Sequence, residues 1–340
     1  MRDEFYMHRC LQLARNGELG APPNPMVGAV LVHEDRVIGE GYHARCGEAH
    51  AEVNALKGID DEMVLKHSTL YVSLEPCAHY GKTPPCAELI IRKKIGRVVV
   101  GCVDPFAKVG GRGIQMLREA GIEVLTGVLE RECLALNRRF ITFHTLHRPY
   151  ITLKWAQTAD GVIGLLRMLS CAKSGEQAAL RAVAISNAAT LRRVHHLRAT
   201  HQAILVGWRT AQNDHPTLTT RHWSGPNPRR IIYDSHAQTL TELMQTLYEQ
   251  GVQSLLVEGG ANTHRQFLDS GLWDEIHVEK SDKSLSAAPD EQTALVYAPA
   301  VPQQAHLFAT QRIGGHTIER YANPQTQPIL TDSHKDCLVR

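Results

Sequence analysis

Tyr6, Cys10, Leu13 and Ala14 recur at helical spacing within residues 3–16, so the chain opens on an amphipathic helix that ends near Asn16-Gly17. Pro22, Pro23 and Pro25 forbid its continuation. Short apolar runs follow, and 27–33 and 36–41 read as two strands around the turn Glu34-Asp35. Residues 48–56 are helical in pattern, with His50 near the start, and 70–74 is a strand that delivers Pro76 and Cys77 at its end. Cys86 opens a helix over 87–94, after which 98–103 is a strand, 114–120 a helix and 122–125 a strand. A helix at 130–139, followed by His144, His147 and Pro149, reads as a connection and puts a domain boundary near 145. The second half carries an apolar strand that runs from Pro149 toward the polar turn Asp160-Gly161, strands at 203–207, 255–257 and 275–280, and a helix at 240–250. Strands alternating with helices predict α/β domains, 1–145 and 146–322. From Asn323 the chain is polar, proline-bearing and aperiodic, so 323–340 is expected to be a disordered tail.

A length of 340 residues favours two domains, and 43% apolar content suffices to give each a core. The net charge of +2 is close to balance and the basic residues are dispersed, so neither a nucleic-acid nor a membrane partner is called for. The N-terminus is charged and no stretch is long and apolar enough to span a bilayer, which points to a cytoplasmic protein. Eight cysteines, scattered except for Cys77 and Cys86, do not make a disulfide framework. In a reducing compartment metal ligation is the better use of that pair.

His50 with Cys77 and Cys86 makes a three-ligand set for one Zn²⁺ and leaves the fourth tetrahedral position for a water, as a catalytic zinc requires. Glu52, two residues beyond the histidine, is too close in sequence to be a comfortable fourth ligand but is well placed to shuttle a proton. A structural zinc would instead need a fourth Cys or His, for which Cys46 and His79 are the nearest candidates. An H-x-E element followed by Pro-Cys and a second cysteine is the constellation of zinc-dependent nucleobase deaminases. Eight residues separate the two cysteines here, where the common form of the signature has two.

That run, with Gly81-Lys82-Thr83-Pro84-Pro85 between the cysteines, resembles the deaminase half of the bifunctional RibD family of riboflavin biosynthesis. Pro23-Asn24-Pro25-Met26-Val27-Gly28, Gly39-Glu40-Gly41-Tyr42-His43, Asp104-Pro105 and Gly110-Gly111-Arg112-Gly113 extend the likeness. It implies a cytidine-deaminase-like three-layer sandwich in which Asn24, His43, His79, Lys82 and Asp104 approach the substrate base, ribose or phosphate. The reaction implied is deamination of 2,5-diamino-6-(ribosylamino)-4(3H)-pyrimidinone 5'-phosphate, with Glu52 as proton carrier. In the second half, Pro149 to Gly161, Leu197-Arg198-Ala199, Thr210 to Arg221, 230–235 and Val257-Glu258-Gly259-Gly260 resemble the family's dihydrofolate-reductase-like α/β domain. The resemblance implies that Gln157, Thr210, Asp214, Ser235 and Gly260 contact NADPH, while Arg198, Leu218, Arg221 and Glu258 face the ribosyl substrate, whose chain is reduced to ribityl. It also implies a homo-oligomer.

The second half departs from the family pattern. Between Ser235 and Val252 there is room for one helix only, so a βα unit is missing and neighbouring strands are expected to be partly unpaired. Val162 follows Asp160-Gly161 where a basic residue is usual, a cofactor-contacting aromatic is replaced near Ala184, and 281–290 lacks the expected glycines. Two alternatives therefore stand beside the bifunctional enzyme. One is a deaminase carrying a non-catalytic ligand-binding or scaffolding domain, and the other is a nucleoside or tRNA deaminase.

Overall fold

The computed structural model describes residues 2–80, 84–104, 110–167, 179–182, 184–285 and 293–327, and they fall into two units, Met1–Leu146 and His147–Arg340. In the first unit the order is α1 (Arg2–Arg15), β1 (Gly28–His33), β2 (Arg36–Tyr42), α2 (Ala51–Ala55), α3 (Glu62–Lys66), β3 (Ser68–Leu74), α4 (Cys86–Arg92), β4 (Arg97–Cys102), α5 (Arg112–Glu119), β5 (Glu123–Thr126), α6 (Glu130–Leu136) and α7 (Arg138–Leu146). The sheet order is β2-β1-β3-β4-β5, antiparallel around β1 and parallel from β3 to β5.

Period-two alternation divides that sheet between two cores. Leu31, Leu70, Val72, Val98 and Val100 face Ala51 and Ala55 of α2, Ala87 and Ile90 of α4, and Ile114 and Leu117 of α5. Val30, Val32, Tyr71 and Val99 face Tyr6, Met7, Cys10 and Leu11 of α1 and Cys133 of α6. Both faces of β3 and β4 are covered, which gives three layers, and each fully buried Leu or Val contributes roughly 1.5–3 kcal/mol. The helix expected at 130–139 is two helices, broken at Asn137, and the second runs on through His144 to Leu146 where a connection was expected. Asn137 also fixes the segment that leads into β1. Its amide accepts from Met26 N at 2.8 Å and donates to Met26 O at 2.9 Å, pairing with that residue's backbone as a strand would.

The second unit contains β6 (Tyr150–Gln157), β7 (Val162–Arg167), β8 (Ala179–Ala182), α8 (Ala188–Thr200), β9 (Ala203–Gly207), α9 (Trp208–Asp214), β10 (Arg229–Tyr233), α10 (Leu240–Glu249), β11 (Ser254–Val257), α11 (Ala261–Asp269), β12 (Glu275–Lys280), β13 (Thr293–Tyr297), β14 (His306–Ile313) and β15 (His316–Ala322). Its main sheet runs β10-β9-β11-β6-β12-β15-β14, parallel from β10 to β12 and closed by the antiparallel β15 and β14. β13, β7 and β8 form a smaller antiparallel sheet.

The chain passes from β10 directly into α10, with no strand or helix between, and β10 is the edge of the sheet among the described residues. The core closes regardless, because Thr239 and Glu242 cap α10 reciprocally and Leu240, Leu243, Met244 and Leu247 bury against β9 and β11. What remains open is the strand edge itself, where Ile232 is 55% exposed. The start of the expected tail is not loose. Asn323 and Gln327 are buried, Asn323 Nδ2 donates to Trp273 O at 3.0 Å, and Gln327 Nε2 donates to Asp274 at 3.3 Å. The polar side chains at 323–327 bind buried backbone and carboxylate acceptors that no sequence pattern reveals, and 328–340 lie outside the described residues. No helix of the described residues is long and apolar enough to cross a membrane.

Candidate active sites

β3 and α4 bring the two cysteines together. Cys77 lies three residues past the end of β3, Cys86 is the first residue of α4, and the Cys86 backbone N–H donates to Cys77 Sγ at 3.3 Å. His50 caps the start of α2, with its Nδ1 3.3 Å from Cys86 Sγ and 3.7 Å from Cys77 Sγ. Ligands held about 2.1 and 2.3 Å from a tetrahedral ion lie about 3.6 Å apart, so both His50–cysteine separations fit zinc as they stand. All three ligand atoms lie within 4.8 Å of one another, and among the described residues no fourth His, Cys, Asp or Glu joins them. Cys46, the sequence's nearest spare thiol, is exposed and outside the group.

The electrostatics suit a cation. Hydrogen bonds from the Cys86 thiol and the His50 ring hold the Cys77 thiol down at about 4, while Cys77 and burial push Cys86 far above the ordinary thiol range. Without a cation the two sulfurs resist carrying two charges, a conflict a dication relieves. Glu52, on the first turn of α2, is 3% exposed, and burial raises its carboxyl to about 7, where it can both take and give a proton near neutrality. His43 Nδ1–H donates to Ala49 O at 3.2 Å, which leaves Nε2 to accept from Asn24 Nδ2 at 3.0 Å. Burial lowers the His43 pKa and keeps this neutral arrangement, with the ring edge-on to His50 at 5.2 Å.

Asn24 and His43 are thus brought together beside the ligand set. Asp104 lies two residues past β4, the strand paired alongside β3, and His79 is exposed. Lys82 lies outside the described residues. The sequence pattern assigns no role to Glu75, whose buried carboxylate accepts backbone N–H groups from Asp104 (3.2 Å), Gly111 (2.8 Å), Gly113 (2.8 Å) and Ile114 (3.3 Å). A signal for it exists all the same: an acidic residue at the apolar end of a buried strand needs donors, and a glycine-rich segment supplies them.

In the second unit a cavity of about 740 Å³ opens at the C-terminal ends of the parallel strands β9, β10 and β11, where α/β sheets place ligands. Thr210, Asp214, Ser235, Gly260 and Glu258 line it. Gly207 and Gly259 let α11 pack onto the strand ends, since a Cβ on either would come within 3.0 Å of the Thr263 side chain. Arg198 binds both oxygens of Glu258, at 2.9 and 2.7 Å, and donates to Thr219 O at 3.2 Å. Through Thr219 it ties down the loop that buries Leu218 and in which Arg221 bonds Thr217. Gln157 does not line the cavity; its side chain accepts from the Trp155 indole at 2.8 Å. Trp208, Arg209 and Arg265 line it unforeseen, because they lie in helices the sequence pattern did not delimit. Val162, where a basic residue is usual, is buried at the head of β7.

The fold and site define a zinc-binding deaminase unit joined to a reductase domain, the class that two family models match. "Cytidine and deoxycytidylate deaminase zinc-binding region" covers residues 1–102 and "RibD C-terminal domain" covers 149–279. The chain belongs to the RibD family of riboflavin biosynthesis. A "Riboflavin biosynthesis protein RibD" from Bacillus amyloliquefaciens is 36% identical over 322 residues, 81% of this chain and 83% of that protein. One from Aquifex aeolicus is 39% identical over 319 residues, 81% of this chain and 86% of its own length. Among solved structures, a diaminohydroxyphosphoribosylaminopyrimidine deaminase/5-amino-6-(5-phosphoribosylamino)uracil reductase from Thermotoga maritima shares 32% identity with a TM-score of 0.77, covering 94% of this chain and 98% of that one. Acinetobacter baumannii RibD matches at 30% identity with the same TM-score and coverage.

Proposed function

We propose that the first unit deaminates 2,5-diamino-6-(ribosylamino)-4(3H)-pyrimidinone 5'-phosphate, and that the second reduces the ribosyl chain of the product to ribityl with NADPH. The observation that carries the reading is the three-donor set with buried Glu52 beside it. His50, Cys77 and Cys86 would hold a zinc ion, which would supply a water of lowered pKa. Glu52 would take the proton of the attacking water as its oxygen adds to the amine-bearing ring carbon and give it to the ring nitrogen; as the adduct collapses to the carbonyl, Glu52 would carry the adduct's hydroxyl proton to the amine, which leaves as ammonia. Asn24, His43 and Asp104 hold the base and ribose, and Lys82 the phosphate. In the second unit Thr210, Asp214, Ser235 and Gly260 hold the cofactor, and Arg198 and Glu258 fix the opened ribose for hydride transfer to C1. Keeping both thiols as ligands requires a reducing compartment, the cytoplasm on this reading.

The test is incubation with the diaminopyrimidine phosphate, with and without NADPH, followed by product identification. Ammonia is expected in both reactions and the ribityl product only with NADPH. Glu52→Gln should retain zinc and release no ammonia; parental turnover in that variant would remove Glu52 as the proton carrier. NADPH left unconsumed in the presence of the deaminated product would reduce the second unit to a binding domain.

A further inference from the structure

Glu75 is a buried carboxylate, 8% exposed, that the zinc chemistry does not use. Each of its oxygens accepts two backbone N–H groups, Oε1 from Gly113 and Ile114 and Oε2 from Asp104 and Gly111. Its own backbone N–H donates to Cys102 O at 3.0 Å, so it stands where β3 and β4 end side by side, two residues before Cys77. The four donors belong to two pieces of chain that leave β4 and enter α5, whose N-cap residue Gly111 has no side chain to cap the helix, so the Glu75 carboxylate takes that place. At the same junction Gly113 lies so close to Pro76 O that a Cβ there would sit 1.9 Å away. One ionised side chain therefore ties the zinc-bearing turn to the segment that carries Asp104. Charge-assisted bonds to four amides hold that segment far more firmly than neutral ones would.

We infer that Glu75 is a positioning residue for the deaminase reaction: it fixes the backbone of Asp104 and of residues 111–114 relative to Cys77, and so sets one wall of the substrate site without touching substrate or metal. The inference rests on the proposed deamination for its kinetic readout, but not for its structural one. Glu75→Gln keeps the shape, yet places an amide N–H against donors, and two of the four bonds lose their acceptor.

The experiment compares zinc-loaded parent, Glu75→Gln and Glu75→Asp for kinetics with the diaminopyrimidine phosphate, zinc content, and amide exchange by mass spectrometry. In Glu75→Gln, KM should rise on the order of tenfold to a hundredfold with a smaller change in kcat and full zinc, and exchange should quicken in peptides covering 111–114. Glu75→Asp, which restores the charge, should recover part of the KM. Unchanged KM in Glu75→Gln would overturn the inference. So would a loss that tracks zinc content, which would make Glu75 a support of the metal site alone. A parent that releases no ammonia from this substrate refutes the substrate assignment instead, and the exchange data then decide the anchor by themselves: faster exchange upholds it and unchanged exchange overturns it.

Discussion

Gly113→Ala probes how closely the deaminase site tolerates displacement. Gly113 is the second residue of α5, and a Cβ built on it stands 1.9 Å from Pro76 O and 3.3 Å from Glu75 Oε1. An ordinary contact at that position needs 3.4 Å. The backbones of α5 and the Pro76-Cys77 turn must then part by about 1.5 Å, and a misplacement of about 1 Å costs on the order of a hundredfold in rate. Deaminase kcat/KM should fall by about that factor in the zinc-loaded variant, read as ammonia release. NADPH oxidation with the deaminated product should be unchanged, because that cavity lies in the other unit. Gly121→Ala is the control. Gly121 follows α5 with φ +81 and nothing within 4 Å of an added Cβ, so alanine there costs only about 1–2 kcal/mol of backbone strain and should leave the deaminase kinetics alone. A Gly113→Ala protein with full zinc and parental kcat/KM would refute the reasoning.

Asp274 is fully buried and binds the largely buried Arg148 through both oxygens, at 2.7 and 3.0 Å, so Asp274→Ala leaves that guanidinium with Pro149 O but no counter-charge and should cost roughly 3–5 kcal/mol. All four tryptophans lie in the second unit, so urea unfolding followed by their fluorescence measures that unit alone; a loss under about 1 kcal/mol, the range of an exposed pair, would contradict the assignment. Burial, helped by the charge of Lys154, holds His264 down at about 3, whereas an unfolded histidine titrates near 6.5. The unfolded chain therefore binds a proton that the folded one does not, and the stability this confers is complete above about pH 6.5 and lost as pH falls toward 3. His264→Leu should flatten the decline in the urea midpoint between pH 6.5 and 4, only in part because His195 and His277 are held down in the same direction; an unchanged slope would show that His264 is not a source of it.

The deaminase site was legible because its chemistry is local. His50 with Glu52, and Pro76-Cys77 with Cys86, stand at the ends of elements whose apolar periodicity is strong, and ligand spacing constrains which metal they fit. The role of Glu75 was not legible, although its residue type at a strand end hinted at it, since its four donors come from chain 29 to 39 residues away. In the second unit the parallel strands β9 and β11 announce themselves as apolar runs, whereas β14 and β15, rich in polar residues, do not. β12 shows why. Ile276 and Val278 enter the apolar core, while Glu275, His277 and Glu279 are equally buried on the opposite face. There Tyr150 donates to Glu275 at 2.7 Å, and Lys154 and His316 reach Glu279 at 3.6 and 2.8 Å.

By itself, then, the sequence determined the two α/β halves, the candidate zinc-ligand set with Glu52 beside it, and the shortening between Ser235 and Val252, since each is written in neighbouring residues or in length. The tertiary structure alone decided that α10 seals the core after β10, that residues 323–327 are packed, and that Glu75 gathers four amides. Those outcomes depend on which distant donors and apolar faces meet, and a buried polar group is stable only where folding brings it a partner.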